Sequence, residues 1–392
     1  MSTAQKTVKP RKVKIKAPAV MELVICHTCG DISPKEETVE LGGKYLCSEC
    51  IDHETFICDK CDTRFWNDDN AGDYDTRLCQ TCYDNHYTRC GDCGIVIRND
   101  SVYYAEGSEN EVYCYYCYVA PQNGAAIHNY SYKPAPVFYG LDGSGRYFGV
   151  ELEVDDGGRD SDNAHHLLQV ANRVTETIYI KNDGSLNNGF EIVTHPMTLD
   201  YHTNDMAWKP LTQKALRIGY KSHKTSTCGM HVHVNRTAFT EDATHQDLCI
   251  SRILFIIERF WEELFRFSRR TKTQINSYSR RFGFRHEPAE ILNTAKSSNF
   301  DRHTCLNLNN QHTIEFRIFK GTLKHNTIIA TLQLVNYICD MAVSMTTDNV
   351  TGLSWADFVE RIDSSRYPEL ITYLKERRLY INEEITVEEE DS

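Results

Sequence analysis

The sequence predicts an α+β fold: a mainly antiparallel sheet with packed helices, preceded by three small four-cysteine modules. Three observations carry this. Twelve of the sixteen cysteines fall in C-x2-C pairs between residues 26 and 117. After residue 146, several short segments alternate apolar and polar residues with the period of two that marks a half-buried strand. Between and after them run longer segments with the apolar spacing of buried helices.

Residues 1–20 hold six Lys/Arg and no acid, which predicts a solvated, disordered basic arm. The cysteine pairs follow: Cys26/Cys29 with Cys47/Cys50, Cys58/Cys61 with Cys79/Cys82, and Cys90/Cys93 with Cys114/Cys117. The units start at 26, 58 and 90 and recur every 32 residues, giving modules at about 24–53, 56–86 and 88–120. Inner gaps of 17, 17 and 20 residues are those of tetrahedral four-thiolate zinc sites, so three structural Zn2+ ions are expected. Units this small bury too little apolar surface to fold alone, and a structural zinc supplies roughly 10–16 kcal/mol of apparent binding free energy. Spacing leaves open a cross-braced pairing between units, and His53 or His86 as substitutes for a thiolate. Four protein ligands leave no open position, so these ions are structural rather than catalytic.

Residues 21–125 hold twenty acids and seven bases. Such a region argues against nucleic-acid binding, except through the basic arm, and favours a protein or peptide partner. The longest purely apolar run, "ILFII" at 253–257, is far short of a membrane span, and the N-terminus has no secretory pattern. The expectation is a soluble, cytoplasmic protein with reduced cysteines and no membrane association.

A Pro/Gly/Tyr-rich linker is expected at 121–145, then one domain over 146–347. In "YFGVELEVDD" (147–156), Val150, Leu152 and Val154 face one way and Glu151 and Glu153 the other. A helix is expected at about 161–176. "YIKNDGSLNNGFEIVTHP" (179–196) reads as two strands around an Asn/Gly turn, with Glu191 in the second. Another helix falls near 203–219, before "CGMHVHVN" (228–235), where His231 and His233 share a side. Thr240 is the expected cap of one long helix at 241–268. The last strand pair is "RHTCLNLNN" and "HTIEFRIFKG", the latter placing Glu315 and Arg317 on one face, before a helix at about 326–345. A helical segment at 348–380 and an acidic tail at 381–392 end the chain. Cys228, Cys249, Cys305 and Cys339 sit in apolar surroundings and are expected in the core.

Glu-x-Glu, a lone Glu, His-x-His and Glu-x-Arg each lie on a strand with a strongly apolar opposite face. On spacing alone they are either unrelated surface charges or one converging site, and convergence requires cations between the carboxylates.

"FGVELEV", "IKNDGSL…GFEIVTHP", "CGMHVHVN" and "TIEFRIFKG", in this order, resemble the amidoligase family common in phage genomes. That family is grouped with glutamine synthetase and glutamate–cysteine ligase among carboxylate–amine ligases. The resemblance spans about 145–345 and implies a glutamine synthetase-like catalytic domain, in a host cytoplasm if the chain is phage-encoded. It implies that Glu151 and Glu153 bind Mg2+, that Glu191, His231 and Glu315 complete the metal sites, and that Arg317 contacts a transferred phosphate. Lys181 and Asp183 match a family motif of less defined role. One or two imidazoles among at least four carboxylates suit hard Mg2+ or Mn2+ held with ATP, with His233 either a phosphate contact or a support behind the metal ligands. The implied reaction is ATP-dependent amide or peptide-like bond formation between a carboxylate and an amine substrate. The basic segment at 266–286 offers further nucleotide contacts.

Three rivals stand beside this reading. A metal-dependent hydrolase would hold a fourth tightly bound transition metal. A phosphotransferase would make a stable phosphorylated product without an amine. A zinc-module adaptor or structural protein with a decayed ligase domain would fail to bind Mg-ATP.

Overall fold

The computed structural model describes residues 22–73, 76–91, 94–104, 111–123, 126–141, 143–297 and 302–381. The basic arm, Cys93 and the acidic tail from residue 382 lie outside the described residues. The chain divides into two compact units at Thr88/Arg89.

The first unit holds two modules built alike. Leu23–Ile25 pairs with Ile32–Pro34, Val39–Leu41 pairs with Lys44–Leu46, and helix Ser48–Glu54 follows. In the second module Thr55–Ile57 pairs with Arg64–Trp66, and helix Gln80–His86 follows. The first cysteine pair sits between hairpin strands, and the second opens the helix with Cys47 or Cys79 at its N-cap. Gly30, at φ 81°, closes the first turn in a conformation that disfavours a side chain. In the first module the described core cluster is small, Cys26, Leu46 and Ile51 with Trp66 packed on it, and in the second Phe56 and Leu78 are buried beside Cys58 and Cys79. So small a core fits the dependence on metal argued from length.

The second unit contains the third cysteine module and the sheet, although spacing groups that module with the other two. Its helix Tyr115–Asn123 lies against the sheet domain: Tyr116 packs on the main core and its hydroxyl meets His165. Arg173 donates to Val96 O (3.2 Å) and Tyr103 to Val174 O (2.6 Å).

Six strands form one antiparallel sheet: β1 (Phe148–Val154), β2 (Ile178–Lys181), β3 (Phe190–Thr194), β4 (Gly229–Asn235), β5 (Leu306–Asn307) and β6 (Thr313–Lys320). Their order across the sheet is β2-β3-β1-β4-β6-β5. On one face Val150, Leu152, Val154, Ile192, Met230, Val232, Ile314 and Phe316 join a single buried core with helices α1 (Ser161–Ala171), α2 (Trp208–Arg217), α3 (Ala243–Arg259) and α4 (His325–Ser344). The expected α+β architecture is present. The four unpaired cysteines are fully buried in this unit. Among the described residues, α4 is long and apolar enough to cross a membrane, but 83% of its apolar window is buried inside the protein.

Several boundaries differ from the sequence reading. The first helix stops at Ala171 because the Asn172 side chain takes over the backbone bonds, accepting from Thr177 N and Ile178 N and donating to Ile178 O. The segment near 203–219 is two helices, Leu199–Asn204 capped by Thr198, and α2. The helix expected over 241–268 is also two. Asp242, not Thr240, caps α3 by accepting from His245 N, and the chain breaks at Phe260, whose ring packs on Trp355 and Phe358. A tertiary aromatic contact leaves no local signal there.

The linker region is not a free connection. His128 exchanges backbone bonds with Ile180 and Asn182, and Tyr139 with Pro196 and Thr198, tying 126–139 to the sheet as a strap.

Candidate active site

Alternation along the strands sends one polar set to the face opposite the core. Tyr179 and Lys181 come from β2, Glu191 and Val193 from β3, and Gly149, Glu151 and Glu153 from β1. His231 and His233 come from β4, and Glu315 and Arg317 from β6. Register aligns them: Lys181 lies across from Glu191, Glu191 from Glu153, Glu151 from His231, and His233 from Glu315. A β-bulge breaks the β4–β6 register opposite His231, at Arg317–Ile318. Bulges of this kind re-aim side chains beside sites.

These residues line a cleft of about 1010 Å³. His231 sits at its centre. Its Nδ1 is 3.3 Å from Glu151 and 3.6 Å from Glu315, and its Nε2 is 3.9 Å from Glu153. Two groups of possible ligand atoms result, Glu151–His231–Glu315 and Glu153–Glu191–His231, each with all its atoms within 4.8 Å of one another. His233 Nε2 is 3.4 Å from Glu151, while its Nδ1 meets Thr313 Oγ1 at 3.2 Å.

Every carboxylate is held from outside the cluster. Lys181 Nζ is 3.1 Å from Glu191 and 3.8 Å from Glu151. Asn307 (2.8 Å) and Asn310 (3.3 Å) donate to Glu315, which also pairs with Arg317. Gly229 N donates to Glu153. Asp183 lies at the cleft wall, where its carboxylate accepts from Ser185 N (2.6 Å) and shapes the β2–β3 turn.

Burial pushes Glu151, Glu191 and Glu315 upward, and the neighbours decide which of the three escape. His233 and His231 hold Glu151 well below the usual carboxylate range despite burial. Burial and the nearby Glu151 push Glu191 well above it, only partly opposed by Lys181. Burial lowers His233, but Glu151 more than compensates and raises it.

The donor set fits a hard divalent ion on two counts. Glu191 Oε2, 3.1 Å from Lys181, and His233 Nε2, 3.4 Å from Glu151, are buried in ion pairs whose geometry does not complete a hydrogen bond. Four carboxylates with one shared imidazole form an oxygen-rich set, the kind Mg2+ or Mn2+ takes.

Some site residues escaped the sequence reading. Arg270 comes from the basic segment at 266–286, is 5% exposed, lines the cleft, and is lowered to about 10 by burial. Gly229 makes room for it: a Cβ there would stand 2.4 Å from Arg270 Nη2. Further along the segment, Arg281 is paired to the buried Glu258 (2.8 Å). The strap adds Tyr130 and Lys133 to one wall, and Arg302 donates to Tyr130 from across the mouth. Asn307 and Asn310 were visible only as polar positions of "LNLNN"; nothing local ties them to Glu315.

The cysteine groups assemble within modules, not between them. Cys26, Cys29, Cys47 and Cys50 form one group and Cys58, Cys61, Cys79 and Cys82 another. Cys90, Cys114 and Cys117 form a third, whose expected fourth member, Cys93, lies outside the described residues. Among the described residues no histidine joins these groups, and His53 and His86 stand outside them. The N–H groups of Cys29 and Cys47 lower the Cys26 thiol to about 6, while Cys29 and Cys50 of the same group are raised.

Residues 151–339 match the family model described as "Putative amidoligase enzyme". The match covers just under half of the chain and contains the whole carboxylate–histidine cluster, but neither the cysteine modules nor the strap. No curated protein matches the chain.

Proposed function

We propose that the sheet domain is an ATP- and Mg2+-dependent carboxylate–amine ligase with a glutamine synthetase-like centre. The observation that carries this reading is the sharing of His231 between two buried carboxylate groups within one cleft that also holds Arg317, Lys181 and Arg270.

A carboxylate resists attack by an amine because its oxygen leaves poorly. A substrate carboxylate oxygen attacks the γ-phosphorus of ATP, ADP departs, and an acyl phosphate forms. The amine then attacks the carbonyl, phosphate leaves with its bonding electrons, and the amine nitrogen gives up a proton. Divalent ions bound at Glu151, Glu153, Glu191, His231 and Glu315 would neutralise the triphosphate and the charge that spreads during transfer.

The chain's own residues position and neutralise. Arg317, aimed by Glu315, offers planar donors to phosphoryl oxygens. His233, held by Thr313, is the phosphate-facing imidazole. Lys181 keeps the Glu191 carboxylate in place, and Asp183, at the wall, is positioned to take the amine's proton. Three zinc ions hold the cysteine modules, whose acidic surface is the part suited to a protein partner.

The test is ADP release from purified, zinc-loaded protein across amino acids, peptides and polyamines, with hydroxylamine present to trap the acyl phosphate as a hydroxamate. Hydroxamate that forms only with acid, ATP and Mg2+ together supports the reading. Hydrolysis without an acceptor, or a stable phosphorylated product, replaces it.

A further inference from the structure

A second cleft, of about 770 Å³, shares Arg270 with the first and is lined also by Arg266, Arg269 and Arg377. The first three arginines end helix Trp261–Ser268 or follow it, and Arg377 ends helix Pro368–Glu376.

Their bonds go to neutral oxygens. Arg377 donates to Arg266 O at 2.7 and 3.2 Å, Arg269 to Lys320 O at 3.4 Å, and Arg270 to Phe319 O at 3.2 Å. Arg269 Nε and Arg270 Nη1 are buried with no hydrogen-bond partner. Lys320, 6% exposed, adds a further charge and donates to Thr225 O (2.7 Å). Glu262 and Glu263 also line the cleft. Among the described residues, neither they nor any other carboxylate lies within ion-pair distance of these five cations. His223, at the rim, is held below its ordinary value by burial and by Arg269, Lys320 and Arg377.

Arg270 and Lys320 are buried and Arg269 is half-buried, none with a carboxylate at ion-pair distance among the described residues; that is costly, and a purely structural role would pair them as Arg281 is paired with Glu258. Such a field concentrates anions. Guanidinium forks match tetrahedral oxyanions, which accept several N–H groups at once. We propose that this second cleft is a binding site for a phosphoryl group, either free orthophosphate or a phosphate of a bound nucleotide. Arg270 joins it to the cleft that holds the carboxylate cluster. The proposal does not depend on the ligase reading, since its test needs no turnover.

The experiment is calorimetric titration of full-length, zinc-loaded protein with inorganic phosphate and, separately, with ADP, both without divalent cation. It is repeated on Arg269→Gln/Arg377→Gln, whose two positions line the second cleft alone. Binding of phosphate by itself identifies free orthophosphate as the occupant; binding of ADP alone identifies a nucleotide phosphate. In either case the double variant should bind at least tenfold more weakly, with Mn2+ affinity at the carboxylate cluster unchanged. Arg377→Gln alone, at the end of a surface helix, gives the same reading in part if the double variant does not fold. Absence of binding of both probes at millimolar concentration, or unchanged affinity in the variants, overturns the proposal.

Discussion

Lys181 and Glu191 face each other across the β2–β3 register, with Nζ 3.1 Å from Oε2, and both are almost completely buried. One cation on an edge strand thereby holds the most deeply buried carboxylate of the cleft in place. Glu151, 3.8 Å from the same ammonium, is reached less closely and depends on the two histidines instead.

Removing that cation leaves Glu191 without its nearest counter-charge. Lys181→Met should cost about 3 kcal/mol of stability in metal-free protein. Added Mn2+ should restore part of the loss. Scanning calorimetry with and without Mn2+ checks this, and an unchanged midpoint in metal-free protein would show that the pair contributes nothing.

Arg317 contributes a planar fork rather than charge alone. Arg317→Lys keeps the charge and loses the fork, and should lower ADP release about 100-fold, the effect of deleting one aimed donor. Glu151→Gln should lower it at least as far. Both variants should keep the wild-type circular dichroism spectrum; full turnover in either would remove that residue from its assigned role.

The cysteine groups should bind three zinc ions per chain, countable by elemental analysis. Cys58→Ser should reduce the count to two and abolish amide-exchange protection in helix Gln80–His86, because that helix buries none of its own residues and is anchored through its thiolates. Retained protection would show that the module folds without its metal.

His202 makes stability depend on pH away from the cleft. It is fully buried: Trp208 Nε1 donates to its Nδ1 (3.2 Å), and its Nε2 lies 3.0 Å from Phe148 O, which fixes a neutral ring. Burial lowers it to about 4 from an unfolded value of 6.5. The unfolded chain therefore binds the extra proton between these values. The stability contribution is complete above pH 6.5 and is lost as pH falls towards 4, by about 3 kcal/mol in all. Denaturant unfolding at pH 7.5 and pH 5 should show this slope, and His202→Gln should flatten it; equal slopes would place the titration elsewhere.

Much of the site was legible because a strand has a strict period of two. Val150, Leu152 and Val154 announce the buried face, so Glu151 and Glu153 must share the other, and the same holds for His231 with His233 and Glu315 with Arg317. Arg270, Asn307 and the strap were not legible in this way. Arg270 reaches the cleft from beyond a helix end, where no periodicity extends, and Tyr130 depends on backbone bonds made by residues far from it in sequence.

Local order determined the cysteine spacing, the alternation of each strand and the resulting set of ionisable groups, because these depend only on neighbours along the chain. Which strands lie side by side was decided by the tertiary structure. So was the choice of which charges neutralise one another and which, like Arg269 and Arg270, have no carboxylate at ion-pair distance among the described residues. Pairing between distant segments follows from burial of one shared apolar core, and no single segment carries that information.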